Sequence, residues 1–212
     1  MMARAIRLAK WWSAHLSHSA EGAYRMHMAT KTQHWTRADL ERLPDDGNRY
    51  EVLDGELFVT PLPLLPHQWI ATQLLYRLVP YVRRYRLGVV VGPGSVVVGE
   101  DEVQPDIAVF PVDPRQAPAK WDRLPRPILV TEVLSRTTRR RDLEFKKKAY
   151  RRWRIPTYWV IDRFEREAII WTPRSAEPVI VTNELRWRPR AGIKPLVIPL
   201  VDILPPASLL NE

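Results

Sequence analysis

Two kinds of apolar periodicity alternate along this chain, and their order predicts its architecture. Alternating or continuous β-branched runs of strand length occur at 50–59, 89–98 (broken into strand, turn and strand by Gly92-Pro93-Gly94), 107–110, 128–133, 158–162, 168–172 and 179–181. The first is split by Asp54-Gly55, the strongest short-range hairpin signal, and so predicts two short strands around a tight turn. Helical spacing appears in three places. Thr36, with Asp39 three residues later and leucines at 40 and 43, predicts a short helix opening with a capping box. From His67 to Arg86 the apolar residues fall at Ile70, Leu74, Leu75, Leu78, Val82 and Tyr85, a one-faced helix with a break expected at Pro80 and a stop at Gly88. A third helix is predicted from a cap at Thr137 or Thr138 to about Arg154, its inward stripe reading Leu143, Lys146, Tyr150 and Trp153.

The tail from Ile193 to Leu204 is apolar, interrupted by proline, and predicted to pack along an edge. The pattern as a whole describes an α/β (α+β) fold: a central mixed sheet flanked by helices, with an N-terminal β-hairpin and C-terminal β-hairpins. One domain is expected over 31–212. Residues 1–30 lack such patterning and read as a disordered or non-native extension, with Met26 and Met28 just before the first patterned sequence.

Chemistry enters through the polar residues that break these runs. Asp106 opens one buried-looking strand and Glu132 interrupts the next, and a carboxylate in such a position is costly unless paired. One reading pairs each with an arginine. The other places a divalent cation between them, since Mg²⁺ binds through one or two carboxylates plus water and phosphate oxygens. Lys146 stands where the helical stripe asks for an apolar residue, so it either joins these acids or snorkels from a half-buried face. Gln104, two residues before Asp106, is expected on the same side of its strand. His67 opens its helix with a capping, packing or proton-transfer role.

Charge sharpens the picture. The net charge of +9 and pI near 10.1 favour a polyanionic partner. Nine Lys/Arg between Arg139 and Arg154 face only Asp142 and Glu144. Arg139, Arg140, Arg141, Lys147, Lys148, Arg151 and Arg152 thus form a candidate phosphate-tracking surface, or else a solvated helix face. Asp142, in the first turn, suits the helix dipole. The absence of cysteine excludes disulfides, zinc–thiolate sites and cysteine nucleophiles, and fits a cytoplasmic protein. No apolar run reaches the length of a membrane span.

The ordered series Tyr50-Glu51-Val52-Leu53-Asp54-Gly55-Glu56, His67, Gln104-Pro105-Asp106-Ile107, Glu132-Val133-Leu134-Ser135 with Thr138, Asp142…Lys146…Tyr150 and Tyr158-Trp159-Val160-Ile161-Asp162 resembles the PD-(D/E)XK nuclease superfamily. More narrowly, it resembles the Uma family of restriction endonuclease-like proteins, over residues 36 to about 205. The superfamily signature places a lysine two residues after the acid, where this chain has Leu134; the Uma-type pattern offers Lys146 instead. The resemblance implies a Mg²⁺-dependent endonuclease, with Mn²⁺ as substitute, acting on DNA. Asp106 and Glu132 would be metal ligands, Lys146 the catalytic cation, Glu51 a third acid near the metal, and His67 and Gln104 auxiliary groups. A homodimer is expected by the same analogy. The alternative is a non-catalytic nucleic-acid-binding domain on a nuclease scaffold.

Overall fold

The computed structural model describes residues 33–209, so the expectation for the N-terminal extension lies outside the described residues. The elements follow in chain order. A short helix α1 (Arg37–Leu40) precedes the hairpin β1 (Arg49–Leu53) and β2 (Glu56–Thr60). The long helix α2 (Leu65–Arg84) leads to strands β3 (Val89–Val91), β4 (Val96–Val98), β5 (Asp101–Val103), β6 (Ile107–Phe110) and β7 (Leu129–Val133). A wide π-helical turn (Arg141–Lys146) then runs directly into α3 (Lys147–Arg152). Strands β8 (Tyr158–Asp162), β9 (Glu167–Trp171), β10 (Val179–Val181), β11 (Glu184–Trp187) and β12 (Leu196–Pro199) complete the chain.

The main sheet has six strands in the order β10-β9-β8-β7-β6-β3. It is mixed, because β7 and β8 pair in parallel while their neighbours pair antiparallel. A parallel pair needs a crossover, and here the crossover is the π turn with α3. Side chains alternate across the sheet. Ile107, Val109, Leu129, Val133, Trp159 and Ile161 face α2 and the β11–β12 pair. Ala108, Phe110, Val130, Leu134, Tyr158 and Val160 face α3, where they meet Ala149, Tyr150 and Trp153. Burying one such aliphatic side chain stabilises the fold by about 1.5–3 kcal/mol. Both faces are therefore apolar, and any carboxylate on them needs a partner.

A second, four-stranded sheet runs β2-β1-β5-β4. Its hairpin turns at Asp54 and Gly55 with φ +53° and +79°, the left-handed pair a two-residue turn requires. The Asp39 carboxylate accepts hydrogen bonds from the Thr36 backbone N–H (2.7 Å) and hydroxyl (2.8 Å), closing the capping box.

Helix α2 runs unbroken through Pro80, contrary to the expected break. Proline removes the hydrogen bond to the carbonyl of Tyr76, but both residues are exposed, Tyr76 by 75%, so the break in the ladder falls on the solvent side of the helix. The helix stop also differs from expectation. Arg86, at φ +50°, takes the left-handed cap position, and the Leu87 N–H reaches back to the Val82 carbonyl at 3.0 Å. Gly88 serves a different need: a Cβ there would stand 1.9 Å from the Phe110 carbonyl oxygen, where β3 starts alongside β6.

Candidate active site

Strand pairing brings the two acids together. The register Ile107↔Thr131 sets Asp106 across from Glu132, on the sheet face that looks toward the π turn. Asp106 lies just before β6, where the ladder has run out of backbone. Its Oδ2 replaces the missing acceptor, taking the Val133 N–H at 2.8 Å. The same oxygen stands 3.0 Å from Nε2 of His67, in the first turn of α2, and Oδ1 accepts from Arg49 at 2.9 Å. These partners outweigh burial and hold the Asp106 carboxyl well below its usual range.

Glu132 is 2% exposed, in the middle of a strand buried on every side. Its Oε1 accepts from Lys146 Nζ at 2.7 Å and from the Tyr150 hydroxyl at 3.0 Å. The Lys146 ammonium, 1% exposed, also stands 2.8 Å from Glu51 Oε1 and 3.9 Å from Asp142 Oδ1. Lys146 is thus a buried cation among three acids, not a snorkelling one. Glu51 reaches the cluster from β1, where the Gln104 N–H donates to its Oε1 at 2.6 Å. Arg141 Nη1 lies 2.8 Å from the other Glu51 oxygen, at an angle that leaves this oxygen without a hydrogen bond.

Two of the expected placements are corrected here. Gln104 contributes its backbone N–H, while its side-chain amide turns away to the Tyr50 carbonyl at 3.3 Å, because the chain bends between β5 and Asp106. Arg141 is not on the outer, phosphate-tracking face. The wide turn winds it inward against Glu51, Asp142 and the Thr60 hydroxyl, with 11% of its side chain exposed. Of the other basic residues, Arg139 pairs with the buried Asp162 at 2.6 Å and Lys147 lies over the Trp171 ring. Arg152 bridges to Asp54 at 2.7 Å. Arg140, Lys148 and Arg151 are exposed on the helix surface, Arg140 alongside Glu144. Ser135 joins Thr138 at the helix entry: its Oγ accepts the Thr138 N–H at 3.1 Å.

Asp142, Arg49 and the Tyr150 hydroxyl were not expected in the cluster. Asp142 is 1% exposed, and burial pushes its carboxyl up despite Lys146 and Arg141 nearby. Arg49 carried a legible signal, since it shares a face of β1 with Glu51 two residues on. For Asp142 the signal was its place four residues before Lys146, on the same helical face. The result is four buried acids, Glu51, Asp106, Glu132 and Asp142, against Arg49, Arg141, Lys146 and His67.

Desolvation dominates Glu132, and the neighbouring Asp142, Asp106 and Glu51 add to it, so the carboxyl rises to about 8 despite Lys146. The folded state therefore keeps a proton that the unfolded state gives up near 4.5. Stability from this group is complete below that value and is lost as pH rises through about 8. The low-lying Asp106 and Glu51 act on the acid side, outside this window. Urea unfolding of the wild type should show stability falling between pH 5 and 8, by up to about 1.4 kcal/mol per pH unit for one proton. Glu132→Gln, an isostere of the protonated acid, should reduce that slope, leaving the part that belongs to Asp142, whose carboxyl burial also pushes up; an unchanged slope would mean Glu132 is ionised throughout.

The mixed sheet thus sets two acids on adjacent strands, and its crossover carries a lysine to one of them. The solved structure titled a "putative nuclease belonging to DUF820 from Anabaena variabilis ATCC 29413" has a similar fold, with a TM-score of 0.61. The match spans 79% of this chain and 96% of that one at 18% sequence identity. The sequence model of the Uma2 family, described as "Putative restriction endonuclease", matches residues 37–198, and the chain belongs to that family. No curated protein sequence matches it significantly. Among the described residues, no helix is long and apolar enough to cross a membrane.

Proposed function

We propose that this protein is an endonuclease that hydrolyses DNA phosphodiester bonds with a divalent metal ion, Mg²⁺ or in its place Mn²⁺. One observation carries the reading: Asp106 and Glu132 meet across β6 and β7, with the Lys146 ammonium beside Glu132. Among the described residues no three acid or histidine side chains form a ready metal cage. A two-carboxylate pair of hard oxygen donors suits Mg²⁺, which retains waters and takes phosphate oxygens. When bound, such an ion polarises the phosphodiester and lowers the pKa of its water.

The chain's own residues supply the remainder. Lys146, positioned by Glu51, offers an ammonium to negative charge developing on phosphorus-bound oxygens. Arg141 and the Gln104 N–H hold Glu51 in place, and Arg49 and His67 hold Asp106. His67 Nδ1 is buried with no hydrogen-bond partner among the described residues. The exposed Arg140, Lys148 and Arg151 offer a surface for the phosphate backbone. The choice of DNA follows the family's description.

A second reading, a non-catalytic nucleic-acid-binding domain, is favoured by one feature: Asp106 is already engaged by Arg49, His67 and Val133. Supercoiled-plasmid nicking with Mg²⁺, Mn²⁺ or chelator, beside calorimetric titration of Mn²⁺, separates the two. Nicking that requires metal, with saturable metal binding, is the expected result. Salt-sensitive DNA binding without nicking in any metal would establish the second reading instead.

A further inference from the structure

Helix α2 joins two polar regions of the molecule. Its first turn delivers His67 to Asp106. About 24 Å along its axis, Arg83 in the last turn lines a cavity of about 540 Å³ at the opposite end of the main sheet. The two ends are unambiguous, since Asp106 precedes β6 while Pro111, in the cavity wall, follows it.

The cavity is lined by the guanidinium-bearing residues Arg83, Arg86, Arg115 and Arg190, with Asp113 as the one carboxylate. That is a formal +3 in a space within the usual range for small-molecule sites. Arg190 donates to the Tyr85 carbonyl at 3.1 Å, which covers a helix C-terminal oxygen that would otherwise repel an anion. Arg115 stands 3.7 Å from Asp113, while the side chains of Arg83 and Arg86 make no ion pair among the described residues. The backbone beneath them is rigidly specified. Arg86 is held at φ +50° by the Leu87-to-Val82 hydrogen bond, and Gly88 packs directly on the Phe110 carbonyl. Val112 and Ile128 add an apolar wall.

We infer that this cavity binds a phosphate ester of nucleotide size, its phosphate on the arginine rim and its organic part on the Val112–Ile128 wall. Guanidinium is the side chain matched to phosphate, giving paired, charge-assisted hydrogen bonds. The phosphate belongs either to a free nucleotide or to the backbone of a nucleic-acid strand. The site is independent of the nuclease chemistry, since it shares no residue with the carboxylate cluster.

The test is calorimetry in low-salt buffer with chelator, using ATP as one probe and a short oligothymidylate as the other, on the full chain. Saturable ATP binding identifies a free nucleotide; oligothymidylate binding without ATP binding identifies a strand only where the cavity variant below weakens it, since the exposed Arg140, Lys148 and Arg151 of α3 and its entry also offer phosphate contacts. In either case the Arg86→Asn/Arg190→Gln double variant should weaken affinity by about tenfold or more. Asparagine is chosen because it tolerates left-handed φ. For the oligonucleotide, the salt slope should also drop by about 1.4, because two guanidinium charges no longer neutralise phosphates. Asp113→Asn, which keeps an acceptor for the Arg115 N–H but removes the opposing charge, should tighten binding of whichever probe binds. No saturable binding of either probe overturns the inference. So does binding that survives the double variant, or an Asp113→Asn affinity that fails to rise.

Discussion

Lys146→Met should cost the protein both its cleavage activity and about 3–5 kcal/mol of stability, the largest effect expected of any single substitution here. The ammonium lies within 2.8 Å of both Glu132 and Glu51 and is 1% exposed, so its loss leaves Glu132 buried without a cation and Glu51 with Arg141 alone. Urea unfolding measures the stability term, and the plasmid assay measures activity. The two are separable, because the double variant Lys146→Met/Glu132→Gln replaces the ammonium and the carboxyl beside it with neutral groups together. It should recover much of the lost stability while remaining inactive. A Lys146→Met protein of unchanged stability would mean that the cluster is not closed around the ammonium. Recovery of cleavage in the double variant would remove Lys146 from the catalytic set.

Asp106→Asn should lower the cleavage rate about a thousandfold, equivalent to ~4 kcal/mol on the barrier, while leaving the chain folded. Asparagine keeps one oxygen for the Val133 N–H, so the end of β6 stays tied to β7. What it loses is the charge that opposes Arg49 and His67 and that would face the metal. Circular dichroism should report a native fold with stability lowered by about 1–3 kcal/mol. DNA binding in chelator, through Arg140, Lys148 and Arg151, should be retained. Cleavage at the wild-type rate would sink Asp106 as a ligand, and loss of folding in step with activity would make its role structural.

Where local chemistry decides structure, the sequence was readable. Asp54-Gly55 specified its hairpin, and the alternation in 107–110, 128–133 and 158–162 marked strands whose pairing then placed Asp106 opposite Glu132. The misfit of Lys146 in an apolar stripe correctly pointed inward. Where several elements decide together, the signal vanished. Strand β5 is three residues with two acids, Asp101 and Glu102, and β11 reads Glu-Leu-Arg-Trp; neither resembles a buried run, and each exists because a partner strand holds it. The π turn is the clearest case. Counting at 3.6 residues per turn kept Arg141 outside, whereas the wider winding turns it to Glu51 and Asp142. Nothing in the local composition of 141–146 distinguishes that winding from an ordinary helix.

The parallel pairing of β7 with β8 has a consequence for how such a chain can diversify. The link between those strands carries Lys146, Asp142, Arg141 and Tyr150, so the segment that closes the sheet's centre is also the one that carries the charges. It tolerates neither insertion nor deletion without rotating the ammonium away from both glutamates. From β9 onward, by contrast, no side chain named in the cluster is contributed, and that portion need only keep an apolar face toward the sheet. Outward-facing side chains from β9 onward can therefore be changed without touching the carboxylate cluster.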